Sequence, residues 1–349
     1  MNATLPRRGL SSPVIVADRI DWNRDYSALN VGHRIAMTDE ELATVDPLAI
    51  NLIVAKGIPT LATLDIAEYQ ATVNAWTEDF RTRCLPYWEQ FFYQAPHDFR
   101  NDIRYFRLGM VSQYLDLEIG ISYKRDQREV KSILYTNPSD LFLNGIIDTK
   151  EGTCGNMSAL HLAITWRMGW PVSLACVGSH FICRYDNGEV VYNLESTHMD
   201  RGGWSSRSDE RFIDEDHIPS LALQTGSDLR ALTPREMLAC FIGLRGRHTQ
   251  DLGKFHRNEH SMLASAADWL LARYLFPTNR IHYRNQMAIS AMRGERCFAP
   301  DETGHPITFA EFLLDLYSRH PITPSEYSEP IEPTFDADVV NEVFATLGS

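Results

Sequence analysis

The chain has 349 residues, of which 44% are hydrophobic and 11% aromatic, so it can bury a sizeable core as one large domain or two smaller ones. Its 46 acidic residues outnumber its 33 basic ones and give a formal net charge of −13, which opposes attraction to nucleic-acid phosphates and anionic lipids. We therefore expect neither nucleic acid nor a membrane as a partner. Because the apolar runs are too short for a secretory or membrane-spanning segment, we expect a cytoplasmic protein.

The first 130 residues predict an irregular N-terminal segment followed by helices. Residues 1–60 contain loop-forming residues and no sustained hydrophobic period. Asp65 and Glu68 then have the spacing of a capping box, and apolar residues follow at helical spacing: Ile66, Tyr69, Val73, Trp76 and Phe80. We expect Pro86 to kink or end this helix, since proline lacks the N–H group that a helix interior needs.

A second helix is predicted where the sequence GTCGN begins at position 152. Thr153 can cap this helix, which is expected to run through Met168. Gly169 suits the residue that follows a helix end, and Pro171 prevents the helix from continuing. The cysteine of GTCGN therefore lies at the first position of a helix.

Three short strands are predicted after this helix, at residues 172–177, 179–185 and 189–196. The dipeptide Asn187-Gly188 separates the last two and is typical of a two-residue hairpin turn. We therefore expect those two strands to pair antiparallel.

The rest of the chain is predicted to be mainly helical. Thr233, Pro234 and Glu236 combine a threonine cap, proline at the first helical position and glutamate at the third, and residues 323–326 repeat the pattern. Residues 261–276 predict a strongly apolar helix. These patterns predict an α+β protein with an N-terminal segment and helices (1–130), a central core (131–225) and a helical C-terminal region (226–349).

Cys154 occupies the position in GTCGN where a thiol could react. A helix N-terminus lowers the pKa of a thiol through its unpaired N–H groups, and the thiolate is the nucleophilic form. Gly152 and Gly155 flank the cysteine without bulk, so its own N–H could donate to the oxygen of a bound carbonyl. The alternative is a buried cysteine that only packs, which is the common fate of free cysteines.

A nucleophilic cysteine needs a histidine within hydrogen-bond reach and an acceptor for the other ring nitrogen. His180 begins an otherwise apolar strand, and alternation places Cys183 on the opposite face of that strand. On the partner strand, Glu195 and Asn193 share one face, and either could orient the histidine.

The order of these residues resembles the transglutaminase-like superfamily of papain-like cysteine enzymes. Among the members of that superfamily, the sequence looks most like the bacterial transglutaminase-like proteins. The matching segments are 152–156 (GTCGN), 169–172 (GWPV), 178–181 (GSHF) and 191–197 (VYNLEST). The resemblance implies a papain/transglutaminase-like core, in which a nucleophile helix packs on an antiparallel sheet between helical N- and C-terminal extensions.

The same resemblance implies that Cys154 is the nucleophile, His180 the acid and base, and Glu195 the residue that orients it. The family usually has aspartate at the position of Glu195, which keeps Asn193 as the other candidate. The side chain that would help bind the oxyanion has no clear match, and Gln113 and Tyr123 are the candidates. No metal and no organic cofactor is implied.

Two hypotheses for function follow from these residues. The first is cysteine-dependent acyl transfer through a thioester, with a peptide, amide or tethered thioester as acyl donor and water or an amine as acceptor. The second is a non-catalytic protein-interaction module that retains the fold. A metal site formed by His256, Glu259 and His260 is less favoured than a polar surface, because their order differs from that of zinc-binding helices.

Overall fold

The fold is given by a computed structural model, which describes residues 19–128, 130, 133–198, 205–292, 299–300 and 306–307. These residues form many helices and a few small sheets, which agrees with the predicted α+β class. The helices of the first half are α1 (Val31–Ile35), α2 (Asp39–Leu42), α3 (Pro47–Ala55), α4 (Ile66–Asp79), α5 (Leu85–Gln94), α6 (Ile103–Leu117) and α7 (Leu143–Thr149). Those of the second half are α8 (Cys154–Arg167), α9 (Asp209–Glu215), α10 (Ser220–Gln224), α11 (Pro234–His256), α12 (Glu259–Ala264), α13 (Ala266–Leu275) and α14 (Arg280–Met292).

The strands within the described residues form three separate small sheets. They are β1 (Ser122–Tyr123), β2 (Glu151–Gly152), β3 (Val172–Val177), β4 (His180–Asp186), β5 (Val191–Leu194), β6 (Ala299–Pro300) and β7 (Pro306–Ile307). β1 and β2 pair parallel, β6 and β7 pair antiparallel, and β3, β4 and β5 form an antiparallel sheet in that order. The predicted antiparallel pairing of the last two strands of this sheet is therefore confirmed.

The N-terminus of α8 is fixed by a capping box, as the sequence predicts. The Thr153 N–H donates to Asn156 Oδ1 at 2.8 Å, and the Thr153 hydroxyl donates to the Asp140 carbonyl at 2.6 Å. A Cβ at Gly152 would lie 2.5 Å from Ile146 Cδ1, so only glycine lets the chain approach α7 this closely. At the other end, Gly169 has a φ of 72° and ends the helix.

Helix α8 packs on the β3–β4–β5 sheet and is buried along almost its entire length. The Ser158 hydroxyl donates to the Phe181 carbonyl at 2.8 Å, and the Cys183 thiol donates to the Ser158 carbonyl at 3.2 Å. Because β4 begins at His180, this packing brings the start of the strand to the start of the helix. The end of β5 lies beside it, since Leu194 pairs with Cys183.

Two helical predictions differ from the structure in detail. The helix capped by Asp65 ends at Asp79, and a π-helical turn over Phe80–Cys84 leads directly into α5, whose second residue is Pro86, so the helical path continues past the proline with a local irregularity just before it. The apolar helix predicted at 261–276 is divided at Ser265, whose hydroxyl donates to the Met262 carbonyl at 2.6 Å.

The residues of the unfavoured metal site do not share one helix. α11 ends at His256, Arg257 is left-handed with a φ of 50°, and α12 begins at Glu259. Within the described ranges, His, Cys, Asp and Glu side chains form no group of three suited to a metal ion. In the same ranges, no helix has both the length and the apolar character needed to cross a bilayer. The helix cap predicted at 323–326 lies outside the described residues.

A buried ion pair joins the N-terminal helices to α8. Arg167 contacts both carboxylate oxygens of Asp46, the N-cap of α3, at 2.5 and 3.1 Å, and both side chains are almost completely buried. One continuous apolar core also extends from α3 through α8 and the sheet to α11. The division into three domains stays a prediction.

We expect Asp46→Asn to destabilise the protein by about 3–5 kcal/mol, because it leaves the Arg167 guanidinium buried without its counter-charge. Urea unfolding monitored by circular dichroism would measure the loss. Glu78→Gln is the matched control, since it breaks an exposed ion pair with Arg81 and should cost no more than about 1 kcal/mol. Equal losses in the two variants would contradict the role assigned to the buried pair.

Candidate active site

The structure brings Cys154, His180 and Glu195 together at one point. Cys154 is the first residue of α8, His180 is the first residue of β4, and Glu195 directly follows β5. The Cys154 thiol hydrogen-bonds to the His180 ring, and His180 Nε2 lies 2.7 Å from Glu195 Oε2. Because His180 Nε2 faces the Glu195 carboxylate, Nδ1 is the ring nitrogen that contacts the Cys154 sulfur.

Glu195 is held by four hydrogen bonds although it is only 2% exposed. Besides His180, the Thr197 N–H and hydroxyl donate to Oε1 at 3.1 and 2.7 Å, and Arg207 donates to Oε2 at 3.3 Å. Burial alone would raise the pKa of this carboxyl, but the His180 charge and the bonds from His180 and Thr197 outweigh burial and lower the pKa to about 2. Glu195 is therefore a carboxylate at neutral pH.

The charges of the cluster favour a thiolate and an imidazolium. Burial would lower the pKa of His180, but the Glu195 charge and the bonds to Cys154 and Glu195 raise it well above its usual value. Burial would likewise raise the pKa of the half-buried Cys154 thiol, but the hydrogen bond and charge of His180 outweigh burial and lower it. Both shifts increase the fraction of the sulfur in its nucleophilic thiolate form.

Asn193 lies on the same strand but does not contact the His180 ring. Its Oδ1 accepts from Arg184 at 2.7 Å, and its Nδ2 donates to Asp209 at 2.6 Å and to the Arg207 carbonyl at 3.2 Å. Asn193 faces Arg184 across the β4–β5 ladder, so its position in the register directs it to a different polar cluster. Of the two candidate orienters, Glu195 is the one that contacts His180.

The two candidate oxyanion side chains have different positions. Tyr123 is placed beside Cys154 by the parallel pairing of β1 with β2, whose last residue is Gly152, and it lines the same cavity as Cys154. Burial, and secondarily the negative charge of Cys154, raises the pKa of Tyr123 to about 12, so its hydroxyl keeps its proton. Gln113 lies on α6 and is not among the residues of the cavity wall.

Tyr135 is a member of the cluster that the sequence patterns do not indicate. Its hydroxyl hydrogen-bonds to Cys154, and burial together with the Cys154 charge raises its pKa, so that it stays protonated. Its backbone is tied to α11: the Tyr135 N–H donates to Asp251 Oδ2 at 3.1 Å, and the Tyr135 carbonyl bonds to His248 Nδ1 at 2.9 Å. Because α11 lies more than a hundred positions later, no local spacing signals this contact.

A cavity of about 530 Å³ is lined by Cys154, His180, Tyr123 and Tyr135. The cavity wall also includes apolar side chains and three arginines, and no Asp or Glu is found among its described residues. Its arginines are Arg128, Arg247 and Arg284. Cys154 is one of the lining residues, and its N–H, in the first turn of α8, has no acceptor within the helix. The cavity can therefore admit an acyl compound to the sulfur.

The other described cysteines are buried free thiols. Burial raises the pKa of Cys183, as expected for a structural thiol. Cys176 and Cys240 lie 3.9 Å apart, sulfur to sulfur, in the wall of the cavity, and the thiol pKa of Cys240 is raised by burial. Among the described cysteines, Cys154 is the one that contacts a histidine and has a lowered pKa.

Comparison with known proteins gives one match. Residues 111–239 match the family model of the transglutaminase-like superfamily, whereas no curated protein and no solved structure is similar enough to count as a match. The matched range begins in α6, ends in α11 and contains the cysteine, the histidine, the glutamate and both tyrosines. The resemblance predicted from the sequence is thereby confirmed as a match of residues 111–239 to the transglutaminase-like superfamily.

Proposed function

We propose that the protein is a cysteine-dependent acyl-transfer enzyme that works through a thioester. The observation that carries this proposal is the hydrogen-bonded chain from Cys154 through His180 to Glu195, with the thiol opening on a cavity. The superfamily match supports cysteine-based acyl transfer or hydrolysis as the class of reaction.

In the first half of the reaction, the Cys154 thiolate attacks the carbonyl carbon of an amide, ester or thioester. As the bond to the leaving group breaks, the His180 imidazolium gives its proton to the departing amine, alcohol or thiol. The acyl group remains on sulfur as a thioester, and His180 becomes neutral.

In the second half, neutral His180 takes a proton from water or from an amine as that molecule attacks the thioester. The new C–O or C–N bond releases an acid or an amide and restores the thiolate and the imidazolium. Hydrolysis and amide formation use the same residues, so the acceptor that reaches the cavity decides between them. The cavity volume of about 530 Å³ favours a small or tethered acyl donor.

Mass spectrometry of the intact protein tests the proposal directly. Incubation with short-chain acyl thioesters should add one acyl group to the wild-type protein, located on Cys154 by peptide mapping, and none to Cys154→Ala. Cys176→Ala is the matched control, because it removes another thiol of the same cavity and should leave acylation intact. An adduct that persists in Cys154→Ala, or no adduct in the wild type, would favour a non-catalytic interaction module instead.

The oxyanion formed during attack would be bound by the Cys154 N–H and the Tyr135 hydroxyl. We expect Tyr135→Phe to lower the rate of acylation by about 10²–10³-fold, which is typical for the loss of one oxyanion donor. Stopped-flow measurement of the first turnover with a chromogenic ester would give the rate. Tyr123→Phe is the comparison and should lower the acylation rate clearly less. If Tyr123→Phe lowered the rate more than Tyr135→Phe, Tyr123 would be the side chain that binds the oxyanion.

A further inference from the structure

The cavity that contains Cys154 extends to a second group of polar side chains on α13 and α14. Trp269 from α13 and His282 from α14 both line it, and their rings are neighbours with centroids 6.2 Å apart. The backbone of α11 lies against both rings, since a Cβ built on Gly243 would be 2.8 Å from His282 Nε2 and 3.4 Å from Trp269 Cζ3. We call this end of the cavity the indole–imidazole pocket, after Trp269 and His282.

Each ring of the pocket has one buried nitrogen without a hydrogen bond. Trp269 is 2% exposed and His282 4%, yet Trp269 Nε1 and His282 Nδ1 have no partner among the residues that the structure describes. Buried polar atoms are nearly always paired, and an unpaired one costs about 1–3 kcal/mol. By contrast, the indole of Trp166, which is also 2% exposed, donates to the Val172 carbonyl at 2.7 Å. The two unpaired atoms therefore point to a ligand.

The two atoms differ in hydrogen-bonding character. The indole Nε1–H of Trp269 can only donate. Burial lowers the pKa of His282 to about 3, so its ring is neutral, and the ring bonds to the Ala272 carbonyl. Because Nδ1 is unpaired, we assign the ring proton to Nε2 and the contact with the Ala272 carbonyl to that nitrogen, so that the neutral ring presents a lone pair at Nδ1.

We propose that Trp269 and His282 form a substrate subsite for a neutral group that accepts one hydrogen bond and donates one, namely a hydroxyl or a primary carboxamide. The oxygen of this group accepts from the Trp269 indole, and its O–H or N–H donates to His282 Nδ1. A carboxylate fits less well, because it has no proton to give and would face the His282 lone pair. The subsite depends on the proposed function in one respect, namely that the bound group belongs to the enzyme's acyl donor or acceptor.

Nuclear magnetic resonance of the full-length Cys154→Ala protein, labelled with ¹⁵N at the tryptophan indoles, tests the subsite without turnover. The probes are propionamide, propan-1-ol, butan-2-one and propionate, which are of similar size. We expect propionamide or propan-1-ol to shift the Trp269 indole signal saturably. Butan-2-one and propionate, which lack the donated hydrogen, should bind about tenfold more weakly. The signals of Trp166 and Trp88 should not move.

Replacement of His282 separates recognition from packing. His282→Leu should reduce the tenfold preference for propionamide over butan-2-one to about onefold, whereas His282→Asn, which keeps an acceptor near Nδ1, should retain most of it. The subsite would be overturned if butan-2-one bound as tightly as propionamide, if propionate bound more tightly than propionamide, or if no probe shifted the indole signal. The last result would mean that water molecules hydrogen-bond to the two unpaired atoms. Acylation of Cys154 is measured separately in the wild type, so failure of the subsite and failure of the enzyme remain distinguishable.

Discussion

At about pH 6, iodoacetamide should alkylate Cys154 of the wild-type protein about 10–100-fold faster than it alkylates Cys154 of His180→Ala. An ordinary thiol with a pKa of about 8.5 is only about 0.3% thiolate at that pH. Because the hydrogen bond and charge of His180 lower the pKa of Cys154, a larger fraction of the wild-type sulfur should be thiolate in mildly acidic solution. Timed quenching followed by peptide mass spectrometry would give the rate constant at Cys154 over a range of pH.

The same reactions contain their own control. Cys183 and Cys240 are buried thiols with raised pKa values, and their peptides should stay unmodified while Cys154 reacts. If instead the rate at Cys154 rises only as the pH approaches 8–9, as it does for a free thiol of ordinary pKa, and His180→Ala leaves that curve unchanged, the two residues do not form a thiolate–imidazolium pair. The non-catalytic alternative would then be the better explanation.

Much of the local structure around Cys154 could be predicted from the sequence because short-range contacts determine it. The capping box at Thr153, the helix end at Gly169 and the hairpin turn that contains Asn187 and Gly188 all depend on neighbours within a few positions. The turn is longer than the dipeptide predicts, because Asp186 pairs with Val191 and residues 187–190 connect the strands. His180 could be predicted as a partner of Cys154 for the same reason, since the strand that it begins returns to the helix after one short hairpin.

The remaining features of the site depend on contacts between distant parts of the chain. Strand alternation places Asn193 and Glu195 on one face and cannot choose between them. The choice is made by Arg184 and Asp209, which bind Asn193, and by the pairing of Glu195 with Ser205 beyond the end of β5. Tyr135, Trp269 and His282 were not predicted for the site, because the helices of the second half of the chain bring them to the cavity.

Glu195→Gln is expected to lower the rate of acylation by Cys154 by about 10²–10⁴-fold without unfolding the protein at neutral pH. Glutamine keeps the size of the side chain but removes the charge that stabilises the His180 imidazolium. The imidazolium would lose its proton more readily, and Cys154 would return toward a neutral thiol. Single-turnover kinetics and the pH dependence of alkylation at Cys154 would measure both effects.

The stability of the same variant should depend on pH in a defined way. The pKa of Glu195 is about 2 in the folded protein against 4.5 for an ordinary glutamate, so its ionised form stabilises the fold above pH 4.5, and this contribution is lost as the pH falls toward 2. The wild type should therefore lose more unfolding free energy than Glu195→Gln between these pH values. Urea unfolding of both proteins at several pH values would show the difference, and parallel curves would contradict it.

Two further variants decide whether the carboxylate acts through His180 or only supports the fold. Glu195→Asp places the residue usual in the superfamily here, but the side chain is one methylene shorter than the one that now reaches His180 Nε2 at 2.7 Å. We expect this variant to retain the lowered pKa of Cys154 better than Glu195→Gln, because the charge remains. Asn193→Ala disrupts the neighbouring cluster with Arg184 and Asp209 and should leave that pKa unchanged. If Asn193→Ala abolished alkylation as strongly as Glu195→Gln did, the orientation of His180 would depend on the whole strand end and not on Glu195.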